Sequence, residues 1–70
     1  MSQVPPRALV VLRVPRGAAA PEEARIRAAI AADRSRLALP STTLLDYRLA
    51  GPYAIQVDGQ TLDEYVAWEV

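Results

Sequence analysis

The side chains that could do chemistry in this chain are hydroxyls, carboxylates and arginines, because it contains no histidine, cysteine or lysine. A nucleophile would have to be a serine or threonine with only a carboxylate as its base. Residues 41–43, Ser-Thr-Thr, are more typical of a turn, and Asp63 and Glu64 are adjacent and cannot share a helix face. The usual ligands of zinc, haem and iron–sulfur groups are missing. We therefore expect no enzymatic activity, no cofactor and no metal.

Four of the eight arginines lie in the most regular segment, residues 21–37. This segment is predicted to be a helix, because it is rich in alanine, begins at Pro21 followed by two glutamates, and has arginines near its end. Ile26, Ile30 and Leu37 fall on one side of that helix, and Asp33 falls on the same stripe. A buried carboxylate needs a partner, so we expect Asp33 at the rim, against water or Arg36. A buried contact with an arginine across an interface, or a carboxyl with a raised pKa, is the alternative.

The opposite side of this helix carries small residues between two pairs of arginines. Small side chains let another helix approach closely, and the guanidinium groups could pair with carboxylates at the rim. The pattern predicts a face that binds another protein, although an ordinary soluble alanine helix would look similar. Trp68 fits a core position first and an exposed anchor second. The predicted partner-binding residues are Ala24, Arg25, Arg27, Ala28, Ala31, Ala32, Arg34, Arg36 and Trp68.

Three other segments have the composition of strands. Ala8–Val14 is a nearly continuous apolar run, which predicts a strand buried on both faces. Leu44–Leu49 and Tyr53–Val57 alternate between apolar and polar residues, which predicts two half-buried strands. Gly51-Pro52 predicts the turn of an antiparallel hairpin between them, and Asp58-Gly59 suits a type I′ turn.

The last segment fits two structures. Thr61 and Glu64 have the spacing of a capping box, which indicates a short helix from Leu62, whereas the alternation at Val66 and Trp68 indicates a strand. We favour the helix. The predicted fold is a small two-layer α+β sandwich, β-α-β-β followed by a short C-terminal helix or a fourth strand, with the first form resembling half of a ferredoxin-like fold.

The length of the chain and its charge distribution further restrict the possible functions. The chain is expected to be one domain, residues 1–70, with residues 1–7 as a flexible arm. Residues 1–48 hold all eight arginines and four acids, and residues 49–70 hold four acids and no base. The halves either neutralise each other or present a basic face to an anionic partner. The longest bulky apolar run has four residues, too short to cross a membrane, and a cytoplasmic bacterial or phage protein is expected.

A chain this short builds only a small core, so association is the expected additional source of stability. We therefore predict a small non-catalytic protein–protein interaction domain, acting as a homo-oligomer or as an accessory or inhibitory subunit of a larger assembly. The alternative is a nucleic-acid-binding regulator whose helix arginines contact phosphates. Zero net charge disfavours it. Tyr47 and Tyr53 could stack on bases, but their alternation places both in the core.

Overall fold

The computed structural model describes residues 7–39 and 46–70. Within these residues one helix packs on a three-stranded antiparallel sheet, so the predicted small two-layer α+β architecture is confirmed. The elements are β1 (Leu9–Pro15), α1 (Glu23–Arg36), β2 (Tyr47–Val57) and β3 (Gln60–Glu69). The strands lie side by side in the order β1-β3-β2, so the last strand is the central one. Most of the predicted arm, residues 1–6, and the predicted turn at 41–43 lie outside the described residues.

The last segment is a strand, so the predicted helix from Leu62 is wrong. β3 pairs with β1 on one side and with β2 on the other. A central strand satisfies its backbone groups on both sides, and this long-range pairing outweighs a local helix-capping signal. The described residues form the elements in the order β-α-β-β, with neither the predicted C-terminal helix nor a fourth strand among them. The ferredoxin-like comparison stays a prediction.

The predicted hairpin at Gly51-Pro52 is also wrong, because this pair lies inside one strand. The pairing register of β2 shifts between Ala50 and Tyr53, which makes Gly51-Pro52 a bulge with a cis peptide bond. Gly51 has a φ of +128°, and a Cβ there would lie 2.7 Å from the carbonyl oxygen of Glu64. Only glycine fits this position.

The hairpin turn lies at Asp58-Gly59, as predicted. Both residues have positive φ, 51° and 77°, the combination that defines a type I′ turn. This two-residue turn sets the register in which Val57 opposes Gln60. It therefore determines which side chains of β2 and β3 share a face of the sheet.

The core lies between α1 and one face of the sheet. Ile26 and Ile30 are 2% and 0% exposed, which confirms the predicted helix stripe, and they pack with Leu12, Val14 and the other buried residues, Ala8, Tyr65 and Ala67. The helix contacts β1 and β3. Among the described residues, no helix has the length and apolar character needed to cross a membrane.

The prediction that β1 is buried on both faces is wrong. Its residues alternate: Leu12 and Val14 are buried under the helix, whereas Leu9 and Val11 are 56% and 48% exposed. The sequence of β1 is apolar on both sides, but the described chain supplies a covering layer on one side only.

Candidate functional site: the open face of the sheet

The pairing register determines which residues share the face of the sheet that points away from α1. Residues directly opposite each other in antiparallel strands point to the same side. Trp68 of β3 lies between Leu9 of β1 and Arg48 of β2. Val66 of β3 likewise lies between Val11 of β1 and Ala50 of β2. We call this side the open face. It comprises Leu9, Val11, Arg13, Pro15, Arg48, Ala50, Tyr53, Ile55, Val57, Gln60, Leu62, Glu64, Val66 and Trp68.

Most of the open face is apolar, and no described element covers it. Leu9, Val11 and Tyr53 are exposed, with Tyr53 at 53%. Five further apolar side chains of the face are half-buried, namely Leu62, Val66, Trp68, Ile55 and Val57. Soluble monomers seldom expose contiguous apolar patches of this kind, and where they occur they mark interaction sites.

The central strand carries both apolar and polar residues on each of its sides. On the helix side, the buried Tyr65 and Ala67 lie beside Asp63 and Glu69, and on the open side Leu62, Val66 and Trp68 lie beside Gln60 and Glu64. Asp63 accepts a hydrogen bond from the backbone N–H of Gly17 at 2.9 Å. Asp63 and Glu64 point to opposite faces, and the described residues hold no cluster of three acids that could bind a metal ion.

The charges on the open face are few. Arg13 pairs with Glu64 at 3.2 Å between Nε and Oε2, near the middle of the face. Arg48 lies at one end, level with Trp68, and forms no ion pair with the described residues. The apolar area therefore contains one internally neutralised pair and is bordered by one cation.

The helix residues predicted to bind a partner fall into two groups. The small residues Ala24, Ala28, Ala31 and Ala32 are exposed on the outer side of α1, as the periodicity indicates. The arginines instead have partners within the chain. Arg34 donates from Nη1 to both carboxylate oxygens of Glu69 at 2.7 Å, and both side chains are mostly buried. This contact ties the helix to β3.

Arg27 contacts both the helix and β2. Its Nε donates to Glu23 at 2.7 Å, and its guanidinium lies 5.4 Å from the ring centre of Tyr47. Tyr47 packs against the core, as predicted, whereas Tyr53 lies exposed on the open face, so the core prediction for Tyr53 is wrong.

Asp33 lies at the rim and pairs with Arg36, as predicted. Arg36 Nη2 is 2.8 Å from Asp33 Oδ1, and Asp33 Oδ2 accepts the backbone N–H of Leu9 at 3.1 Å. The hydrogen bond from Arg36, followed by that from Leu9, lowers the pKa of the Asp33 carboxyl below its usual 3.8. The alternative of a raised pKa is therefore wrong.

Asp33 and Arg25 also act on the free edge of β1. Glu69 donates its N–H to the carbonyl of Ala8, so in the antiparallel pattern the backbone groups of Leu9, Val11 and Arg13 point away from β3. Asp33 accepts the N–H of Leu9, and Arg25 Nη2 donates to the carbonyl of Arg13 at 3.4 Å. Two backbone groups that an added strand would need are thus occupied.

The outer edge of β2 is interrupted by the bulge. Gly51-Pro52 breaks the regular pairing register, and Pro52 has no N–H to offer a further strand. Both edges of the sheet therefore resist strand addition, while its open face remains apolar.

Trp68 lies on the open face and outside the buried core, so its predicted core position is wrong. It is separated from the alanine strip of α1 by the sheet, and the structure does not bring the predicted contact residues into one surface. Sequence reasoning missed the open face because its membership depends on the strand order β1-β3-β2. The signal that could have found it is the apolar character of both sides of β1.

The chain matches no protein-family model, and no curated protein or solved structure is significantly similar to it.

Proposed function

We propose that this chain is a small non-catalytic protein-interaction domain, acting as a homo-oligomer or as an accessory or inhibitory subunit of a larger assembly. The observation that carries the proposal is the open face, which displays nine apolar side chains and has no covering layer among the described residues. Exposed apolar area is costly in water, at roughly 25 cal/mol per Å². A bound protein would remove that cost.

The composition of the open face resembles the centre of a protein interface. Trp68 and Tyr53 are the residue types that most often dominate binding energy, and the pair between Arg13 and Glu64 lies level with Tyr53 across the sheet. The surrounding aliphatic side chains, such as Val66 and Leu62, supply area from which a partner would exclude water.

The alanine strip of α1 is the second proposed contact surface. Ala24, Ala28, Ala31 and Ala32 are exposed and would let another helix approach closely. Its support is weaker, because the arginines expected at its rim, such as Arg34 and Arg27, already have partners within the chain. The same engagement disfavours the nucleic-acid alternative, which needs these guanidinium groups for phosphates.

The test compares two substitutions of the same type on opposite sides of the sheet. Leu9 lies on the open face, and Leu49 lies on the helix side of β2 and is 38% exposed. Wild type, Leu9→Glu and Leu49→Glu would each be used to capture partners from an extract of the source organism, and their masses in solution would be measured.

The proposal predicts that wild type forms an oligomer or a specific complex that Leu9→Glu loses and Leu49→Glu keeps. A wild type that is monomeric, and whose bound proteins are the same for both variants, would contradict the proposal.

A further inference from the structure

Resting on the proposed function, we infer that the occupant of the open face is a second copy of this chain. Two open faces pack against each other about 10 Å apart, as in a β-sandwich. The two helices lie on the outside of this dimer.

The edges of the sheet direct association to the face. Asp33 and Arg25 occupy backbone groups of β1 that a partner strand would use, and the Gly51-Pro52 bulge interrupts β2. These contacts and the bulge disfavour extension of the sheet by strand pairing at either edge. The apolar face, whose side chains are bulkier than those of the alanine strip, is then the favoured surface for association.

The charges at the two ends of β2 are complementary to those of a second copy. Arg48 lies at one end of β2, and the turn residue Asp58 lies at the other end. A twofold axis that runs across the strands places the Arg48 end of one copy over the Asp58 end of the other. Arg13 and Glu64 neutralise each other within each copy, so burial of this pair leaves no isolated charge. The chain has zero net charge, and two copies do not repel each other.

The size of the face sets the expected affinity. The strands β1, β2 and β3 have 7, 11 and 10 residues, so they cover about 23–36 Å by 14 Å at normal strand rise and spacing. The face presents 14 residues per copy, fewer than the roughly 20–30 residues per side of standard interfaces. This places the dimer among small, weak and reversible interfaces, with a dissociation constant on the order of tens of micromolar.

The rest of the chain has too few apolar side chains to replace a second copy. Residues 1–6 and 40–45 contain four bulky aliphatic residues, Met1, Val4, Leu44 and Leu45. The open face displays nine apolar side chains, and a second open face supplies the same number in return. Those two segments therefore match the face in neither extent nor chemistry, whereas a second open face matches it in both.

The experiment is sedimentation equilibrium of the full chain from about 1 μM to about 1 mM, a range that brackets the expected dissociation constant. Wild type should change from 7.6 kDa to twice that mass as concentration rises. Leu9→Glu should raise the dissociation constant at least about tenfold, because a twofold interface contains the substitution twice and buries both carboxylates. Leu49→Glu should change it less than about twofold, because it lies off the face.

Both leucines are exposed, so neither substitution disturbs the core, and far-ultraviolet circular dichroism of each variant checks this. Val11→Glu, at another exposed position of the open face, is the second variant and should also weaken the dimer about tenfold or more.

Three results would overturn the dimer. These are a wild type of 7.6 kDa at every concentration, a dimer weakened equally by Leu9→Glu and Leu49→Glu, and a dimer weakened by Ala28→Glu on the helix but not by Leu9→Glu. The wild type could instead be a monomer that binds a different protein, in a complex that Leu9→Glu abolishes and Leu49→Glu does not. That result would contradict the dimer and support the proposed function. If wild type is a monomer and Leu9→Glu does not change the proteins that it binds, both the dimer and the proposed function are contradicted.

Discussion

The two faces of the sheet are built on different principles. On the helix side, a few buried residues such as Ile26 and Ile30 form the core, and the ion pair between Arg34 and Glu69 fastens the helix beside it. On the other side, β1 and β3 display mainly apolar side chains, among them Val11 and Trp68, with one internal ion pair. The helix is thus held by an apolar core and by an ion pair, whereas much of the apolar surface on the other side has no cover among the described residues.

The largest effect expected from this comparison is on the core of the helix side. Ile30→Ala should lower the free energy of unfolding by about 2–5 kcal/mol, because a fully buried side chain leaves a cavity. Leu9→Ala, on the open face, should lower it by less than about 1 kcal/mol in the monomer, since Leu9 is already more than half exposed. Urea denaturation at low protein concentration measures both. Equal losses would mean that the two faces do not differ as described.

A smaller effect is expected at the ion pair between helix and sheet. Glu69→Gln should lower the free energy of unfolding by about 1–2 kcal/mol, because Arg34 then loses a charged acceptor at a mostly buried position. Glu23→Gln is the control, since its pair with Arg27 is exposed and contributes about 0.5 kcal/mol or less. A loss in the control as large as in Glu69→Gln would contradict the role given to this pair.

Asp33 gives a pH-dependent effect that is confined to the rim of the helix side. The Arg36 and Leu9 hydrogen bonds lower the pKa of Asp33 in the folded chain, so the stability that they provide is fully present above the unfolded value of 3.8. That stability is lost as the pH falls through the lower pKa of the folded state. Thermal unfolding of wild type and Asp33→Asn between about pH 7 and pH 2 checks this. The stability difference between the two should shrink below about pH 4, and a constant difference would contradict the assignment.

The smallest effect is expected on the outer side of the helix. Ala28→Glu should change the free energy of unfolding by less than about 0.5 kcal/mol, because Ala28 is exposed. It should also leave the mass in solution unchanged, since both helices lie outside the inferred dimer. A loss of association with this variant would move the contact surface from the sheet to the helix.

Local signals were sufficient for some parts of this fold. Composition, periodicity and end residues were enough to predict the helix. The residue pair Asp58-Gly59 was enough to predict the turn, and the spacing of Asp33 and Arg36 was enough to predict their contact. Each of these depends on residues that are close along the chain.

Long-range pairing decided the parts that sequence reasoning missed. Gly51-Pro52 is typical of turns, and it became a bulge because β3 pairs with residues on both sides of it. The capping box at Thr61 does not form a helix, because β3 pairs with β1 on one side and with β2 on the other. The open face could not be assembled from the sequence, because which side chains share it depends on strand order and register.

Trp68 provides the most direct measurement, since it is the only tryptophan and lies on the open face. Its emission maximum and its quenching by acrylamide would be recorded while the folded chain is diluted through the dissociation constant. A dimer that buries the open face should give blue-shifted, shielded emission at high concentration that changes to red-shifted, quenchable emission on dilution. Red-shifted, freely quenchable emission at every concentration, or shielded emission from a chain that remains monomeric, would contradict it.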